Sequence, residues 1–289
     1  MNGPLPLTRR RSGGLMMGEQ DVMVWHGKKN ILGILVDALD YEAAVERTTQ
    51  AAKDHRHFTV ATAAVHGVME GVLSREQKFR LNHFDLVTPD GQPVRWALRI
   101  LHGAKLIDRV YGPNLTLRLC ARAEREDLAV YFYGNKSEVL SALQISLKKR
   151  FPSLRIAGME PSKFRGLSQE ERDRVVQRIR ESGASLVFVG LGCPLQDVWT
   201  YEYREFLSMP VVAVGGAFGV LAGKVPQAPV WMQNRGLEWL FRLCSEPRRL
   251  WRRYLLLSPI YAVLVGLQAL HLYHPTTEGR RPARELSYG

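Results

Sequence analysis

From about Asn30 onward, short β-branched and aromatic runs alternate with longer stretches in which apolar residues recur every three or four positions. That alternation predicts an α/β fold, Rossmann-like, with a mostly parallel sheet covered by helices on both faces. The runs predict strands over residues 58–61, 84–87, 128–133, 154–157, 186–189 and 211–214. Between them, Asp40 is the expected N-cap of a helix over 41–53, and Ser137 that of a helix over 138–149. Ser168 with Glu171 three residues later has capping-box spacing ahead of a helix over 172–181. Ligands of open α/β sheets sit at the carboxyl ends of the strands, so the loops there are where chemistry is expected.

The pattern divides the chain into a loose tail (1–29), an α/β domain (30–232) and a C-terminal appendage with its tail (233–289). Arg9, Arg10 and Arg11 open the tail without the continuous apolar core of a signal peptide. Residues 255–273 (LLLSPIYAVLVGLQALHLY) carry no formal charge and approach the ~20 residues that a membrane-spanning helix needs. Pro259, Gly266, Gln268 and His271 interrupt them, and arginines flank both sides. The reading is a helix docked on or embedded in the membrane without crossing it.

At 46% hydrophobic, the chain has ample core material; its net charge of +12 and pI near 9.8 point to an anionic partner. No RRM, KH, zinc-finger or helix-turn-helix signature accompanies the charge, so lipid head groups and diphosphates rank above nucleic acid. The charge peaks at Arg242, Arg248, Arg249, Arg252 and Arg253, which outnumber the one acidic residue among them, Glu246, and alternate with Trp239, Leu240, Leu243, Leu250 and Trp251. Indole and leucine suit a lipid interface while guanidinium groups hold phosphate. The alternative is an amphipathic end packed on its own domain with its charges solvated. Cys120, Cys193 and Cys244 are odd in number and far apart, which supports neither a disulfide framework nor a zinc site.

Several loops carry candidate chemistry. Thr88-Pro89-Asp90-Gly91-Gln92 sets one carboxylate, Asp90, between a strand and a helix, as a general base or as a turn aspartate. In Gly190-Leu191-Gly192-Cys193-Pro194-Leu195-Gln196-Asp197, Gly192 permits close backbone approach, and Gln196 and Asp197 offer polar groups to a ligand. The set lacks the third glycine of a dinucleotide fingerprint, which disfavours a nicotinamide oxidoreductase. Arg109 precedes Gly112 and Asn114 at a helix start, a place for a guanidinium and N–H groups to converge on a diphosphate, or for a surface arginine. Thr62 offers a hydroxyl, and His66 is read as opening a helix. Gly215 and Gly216 form a strand-to-helix turn that aims N–H groups at an anion. No Asp-x-Asp pair follows an apolar strand, and no metal or other cofactor is expected.

VATAAVH around Thr62, LVTPDGQPVRWALR around Asp90, RVYGPNL around Arg109, FVGLGCPLQDVW around Gln196 and AFGVLAGKVPQAPVWMQNRGLEWLFRLCSEPRRLWRRY occur in that order. In them the chain resembles the bacterial WecG/TagA/CpsF family of glycosyltransferases over residues 30–254. The resemblance implies inverting, metal-independent transfer of a sugar from a UDP-sugar to a polyprenyl-diphosphate-linked saccharide, at the inner face of the cell membrane. It implies Asp90 as base, with Thr62, Arg109 and Gln196 lining the donor pocket and Arg249, Arg252 and Arg253 closing over the diphosphates. The chain departs from the family pattern at Ala64 (usually Asn), Gly219 (usually Asp), Gln227 (usually Arg) and Asp197 (usually Glu), which widens the expected donor from N-acetylmannosamine to hexoses such as glucose. A nucleotide-binding peripheral membrane protein without catalysis is the alternative, an oxidoreductase a weaker one, and homo-oligomerisation is left open.

Overall fold

The structure is a computed structural model that describes residues 23–289, with the backbone alone at Asn234 and Arg249. The Arg9 to Arg11 cluster and the rest of residues 1–22 lie outside the described residues. Strands β1 (Trp25–Ile31) and β2 (Ile34–Leu39) pair as an antiparallel hairpin. Its two-residue turn has Leu32 at φ 54° and Gly33 at φ 90°, the left-handed pair that matches strand twist. The tail expected over 1–29 therefore overlaps a strand. Trp25 Nε1 and Lys28 Nζ donate to the buried Asp37 carboxylate at 3.2 and 3.0 Å, and so does Val87 N at 2.8 Å, which ties the hairpin to the edge of the main sheet.

That sheet holds β3 (Phe58–Ala63), β4 (Leu86–Pro89), β5 (Val130–Tyr133), β6 (Ile156–Glu160), β7 (Leu186–Val189) and β8 (Pro210–Ala213). All pairings are parallel, in the order β4-β3-β8-β7-β5-β6. The interior strands are buried nearly throughout, as a parallel sheet covered on both faces requires, while edge strand β6 is half-exposed. This is the expected α/β class with shifted boundaries. β4 starts at Leu86 rather than at Phe84; Asp85, just ahead of it, uses its carboxylate to accept from Thr59 N and Oγ1, both at 2.8 Å.

Asp40 Oδ1 accepts from Ala43 N at 2.8 Å and caps Tyr41–Lys53, and Ser168 and Glu171 form the full capping box of Gln169–Glu181. Ser137 is a correction: it is the first residue of Ser137–Arg150, and Lys136 occupies the cap position without a side-chain bond.

Beyond β8 the chain forms a cap from the helices Val230–Asn234, Glu238–Ser245 and Pro247–Trp251 and a π-turn over Arg252–Leu257. The helix Ser258–Ala269 follows, inside the segment expected to lie on the membrane. It buries Tyr261 and Val265 in the cluster of Ile31, Ile34, Val68 and Leu98, and Gln268 bonds Leu32 N at 3.0 Å and Asn30 O at 2.9 Å. Ile260 and Val263 remain exposed on the same helix. No helix among the described residues is long and apolar enough to cross a membrane. The last residues form a strap across the domain: Asn82 Nδ2 donates to Thr277 O at 2.8 Å, and Glu202 accepts from Leu286 N and Ser287 N at 2.8 and 2.9 Å.

Candidate active site

The carboxyl ends of β3, β4, β7 and β8 open into a cleft of about 880 Å³, and the cap supplies its other wall. Strand geometry sets the floor. Thr62, near the end of β3, donates its hydroxyl to Ala213 O of β8 at 3.1 Å. Asp90 follows β4 and accepts from Gly112 N, at the start of the helix Gly112–Arg125, at 3.4 Å. Gly112 is wedged between them: a Cβ there would lie 3.1 Å from Val214 O, 3.4 Å from Thr62 Oγ1 and 3.8 Å from Asp90 Oδ2.

Asp90 is crowded by protein yet keeps part of its surface open to the cleft. Burial is the main cause that pushes its carboxyl from 3.8 up to about 6. Arg109, Arg242 and the Gly112 N–H pull it back down, and Glu238 pushes it further up. Such a group is ionised at neutral pH yet basic enough to accept a proton in a transition state.

Four arginines line the same cleft: Arg109 from the domain, and Arg235, Arg242 and Arg253 from the cap. Arg109 Nη2 donates to Glu238 Oε2 at 2.5 Å, with its guanidinium 4.4 Å from the centre of the Tyr111 ring. Arg242 Nε lies 3.2 Å from Glu238 Oε1, and its Nη2 donates to Tyr111 OH at 3.4 Å. Arg253 acts on His66 instead: burial, then this cation, lowers the imidazole to about 4, so His66 is neutral at pH 7. His66 is the second residue of Val65–Leu73 and lines the cleft.

The structure brings Thr62, Asp90, Arg109, Gly192, Gln196, Gly215, Gly216 and Arg253 to one cleft. Gly215 has φ 58°, and a Cβ on it would meet Gln196 Oε1 at 3.1 Å. Gln196 Oε1 is itself buried without a hydrogen-bond partner. Arg252 is not among the lining residues. It is exposed and stacks over the Trp251 ring at 5.3 Å, since neighbouring helical side chains point about 100° apart. The Arg249 side chain lies outside the described residues. Asp197 does not face the cleft as expected: it is buried, accepts from Gln77 Nε2 at 3.1 Å, and burial first of all raises it to about 7.

Glu238, Arg242, Tyr111 and Trp96 also line the cleft and were not singled out as site residues. The i,i+4 spacing of Glu238 and Arg242 is the sequence signal for their pairing, which the structure shows at 3.2 Å. Two of the unusual positions, Ala64 and Gly219, lie on the cleft wall. Among the described residues, no three His, Cys, Asp or Glu side chains are grouped to hold a metal ion.

Residues 29–275 match the model of the glycosyl transferase WecG/TagA/CpsF family. The chain is also similar to an N-acetylglucosaminyldiphosphoundecaprenol N-acetyl-beta-D-mannosaminyltransferase of Bacillus spizizenii, with 32% identity over 208 residues, covering 71% of this chain and 78% of that protein.

Proposed function

The chain belongs to the WecG/TagA/CpsF family of glycosyltransferases, and from that premise we propose that it moves a hexose or N-acetylhexosamine, with inversion, from a UDP-sugar to a saccharide on a polyprenyl diphosphate. The name of the Bacillus spizizenii relative supports an acceptor of that kind. Membership in a glycosyltransferase family also sets aside the oxidoreductase and non-catalytic readings. The observation that carries the mechanism is the Asp90 carboxylate on the cleft floor with guanidinium groups around it, while the other carboxylate of the cleft, Glu238, is tied up by Arg109 and Arg242.

In this reading Asp90 takes the proton of the acceptor hydroxyl as its oxygen attacks the anomeric carbon. The bond from that carbon to the donor diphosphate breaks on the opposite face, and one base on one face gives inversion. Arg109, Arg242 and Arg253 stabilise the charge that gathers on the leaving diphosphate. Thr62, Gln196 and the Gly215-Gly216 turn hold the donor. Ala64 and Gly219 remove polar side chains that family members usually place there, which favours a donor other than N-acetylmannosamine, glucose included.

The acceptor's lipid suits the cap. Trp239 and Leu255 line the cleft and are also exposed, and Trp231, Leu240, Trp251 and Leu256 extend the apolar surface beside the exposed Arg248 and Arg252. This surface supports peripheral attachment to the inner face of the membrane. The test is transfer from radiolabelled UDP-sugars to a polyprenyl-diphosphate sugar in membranes by wild type and Asp90→Asn. Loss of about 10²- to 10⁴-fold is expected. Full turnover in the variant would remove Asp90 as base.

A further inference from the structure

The side chain of Glu238 is well buried, yet it belongs to the cap and spans two parts of the molecule. One carboxylate oxygen takes the Arg109 guanidinium of the domain at 2.5 Å, and the other faces Arg242, one turn along its own helix, at 3.2 Å. The groups facing Asp90 come from three directions. Arg109, Tyr111 and the Gly112 N–H lie at the start of the helix Gly112–Arg125, Tyr41 opens Tyr41–Lys53, and Glu238 and Arg242 come from the cap.

Without the cap, the cation felt most strongly by Asp90 is Arg109, which favours the ionised carboxylate and weakens it as a base. With the cap seated, Glu238 neutralises Arg109 and adds a negative charge near Asp90; Arg242, on the same helix and paired with Glu238, pulls Asp90 the other way but less strongly than Glu238 pushes it up. We propose that Glu238 is a positioning residue: by clasping Arg109 from the cap, it makes seating of the cap a condition for Asp90 to act as an effective base. The proposal rests on Asp90 being the base. It adds that base strength is set by cap closure, so that proton removal is coupled to enclosure of the substrate. Glu238 also holds Arg109 and Arg242 side by side, where their remaining N–H donors serve one diphosphate.

The test is the pH dependence of kcat for transfer from a UDP-sugar to a polyprenyl-diphosphate sugar, with a thermal melt of each protein. Glu238→Gln keeps the shape and removes the charge. Its acid limb is expected to move to lower pH by about half a unit or more, and its kcat at neutral pH to fall about three- to tenfold. Glu238→Asp, which keeps the charge, should hold the wild-type midpoint. Arg109→Gln probes the pair from the other side, and its midpoint should move to higher pH. It decides the matter alone if Glu238→Gln fails to melt cooperatively. A Glu238→Gln enzyme that slows with its midpoint unmoved, or moved upward, would reduce Glu238 to a structural clip and overturn the proposal, as would an Arg109→Gln midpoint that stays or falls. An Asp90→Asn enzyme with full turnover would instead overturn the base assignment beneath it.

Discussion

Replacing Asp90 with Asn is expected to slow transfer and, above pH 6, to stabilise the fold. The carboxyl is raised from 3.8 to about 6, chiefly by burial. A group that binds its proton more tightly when folded favours the folded state only while protonated. Its stability contribution is therefore fully present below pH 4, declines as pH rises towards 6, and above 6 leaves a constant penalty. At about 1.4 kcal/mol per pKa unit, the rise amounts to about 3 kcal/mol, and screening through the open side of the cleft brings the expected penalty to about 1–3 kcal/mol. Asn has no charge to desolvate and keeps an oxygen for Gly112 N. Urea unfolding of both proteins at pH 4 and pH 8 should show the variant more stable by that amount at pH 8 and nearly equal at pH 4. A variant less stable at pH 8, or a gain equal at both pH values, would refute the assignment of burial as the cause of the raised carboxyl.

Other substitutions probe the cleft and the cap. Gly112→Ala pushes a methyl group towards Val214 O and Thr62 Oγ1; transfer should fall at least tenfold, while the melting temperature changes by only a few degrees, as calorimetry would show. A Cβ at Gly190 would lie 2.4 Å from the Phe218 ring, so Gly190→Ala should cost about 1–3 kcal/mol in urea unfolding. Arg253→Ala removes a cation that disfavours protonated His66, so the imidazole should titrate above about 4 by NMR, though still below its ordinary value because burial persists. Replacing Trp251 and Leu256, which are exposed outside the cleft lining, with Ser should weaken sedimentation with anionic vesicles while leaving UDP binding intact.

Much of this arrangement could be read in the residues because parallel strands buried on both faces are written as uninterrupted apolar runs. The strand at Leu186–Val189 is such a case, and the polar or glycine-rich loops after the runs then mark the cleft. The N-terminal hairpin escaped because Leu32-Gly33 is not a familiar turn pair and its strands are mixed in polarity; a buried Asp37 bridging Trp25, Lys28 and Val87 holds it instead. The chain after 255 was only partly legible, for the opposite reason. A run uncharged all round does not say which face will pack, and Tyr261 and Val265 turn inward only because the hairpin and the helix Gln92–His102 present a matching apolar surface. Arg252 and Arg253 show the same limit on a smaller scale: as charges they are equivalent, and helical phase alone sends one to the cleft and the other to solvent. The link between Arg109 and Glu238 joins residues 129 positions apart, a partnership that only the folded chain reveals.

The most direct measurement of the central claim is the pH dependence of kcat for sugar transfer by wild type beside Asp90→Asn. Wild type should be level above pH 7 and fall towards tenfold per unit below about pH 6, while the weak residual rate of the variant should show no such limb. A wild-type rate that stays flat down to pH 5, or an acid limb that survives in Asp90→Asn, would contradict Asp90 as the group that takes the acceptor's proton.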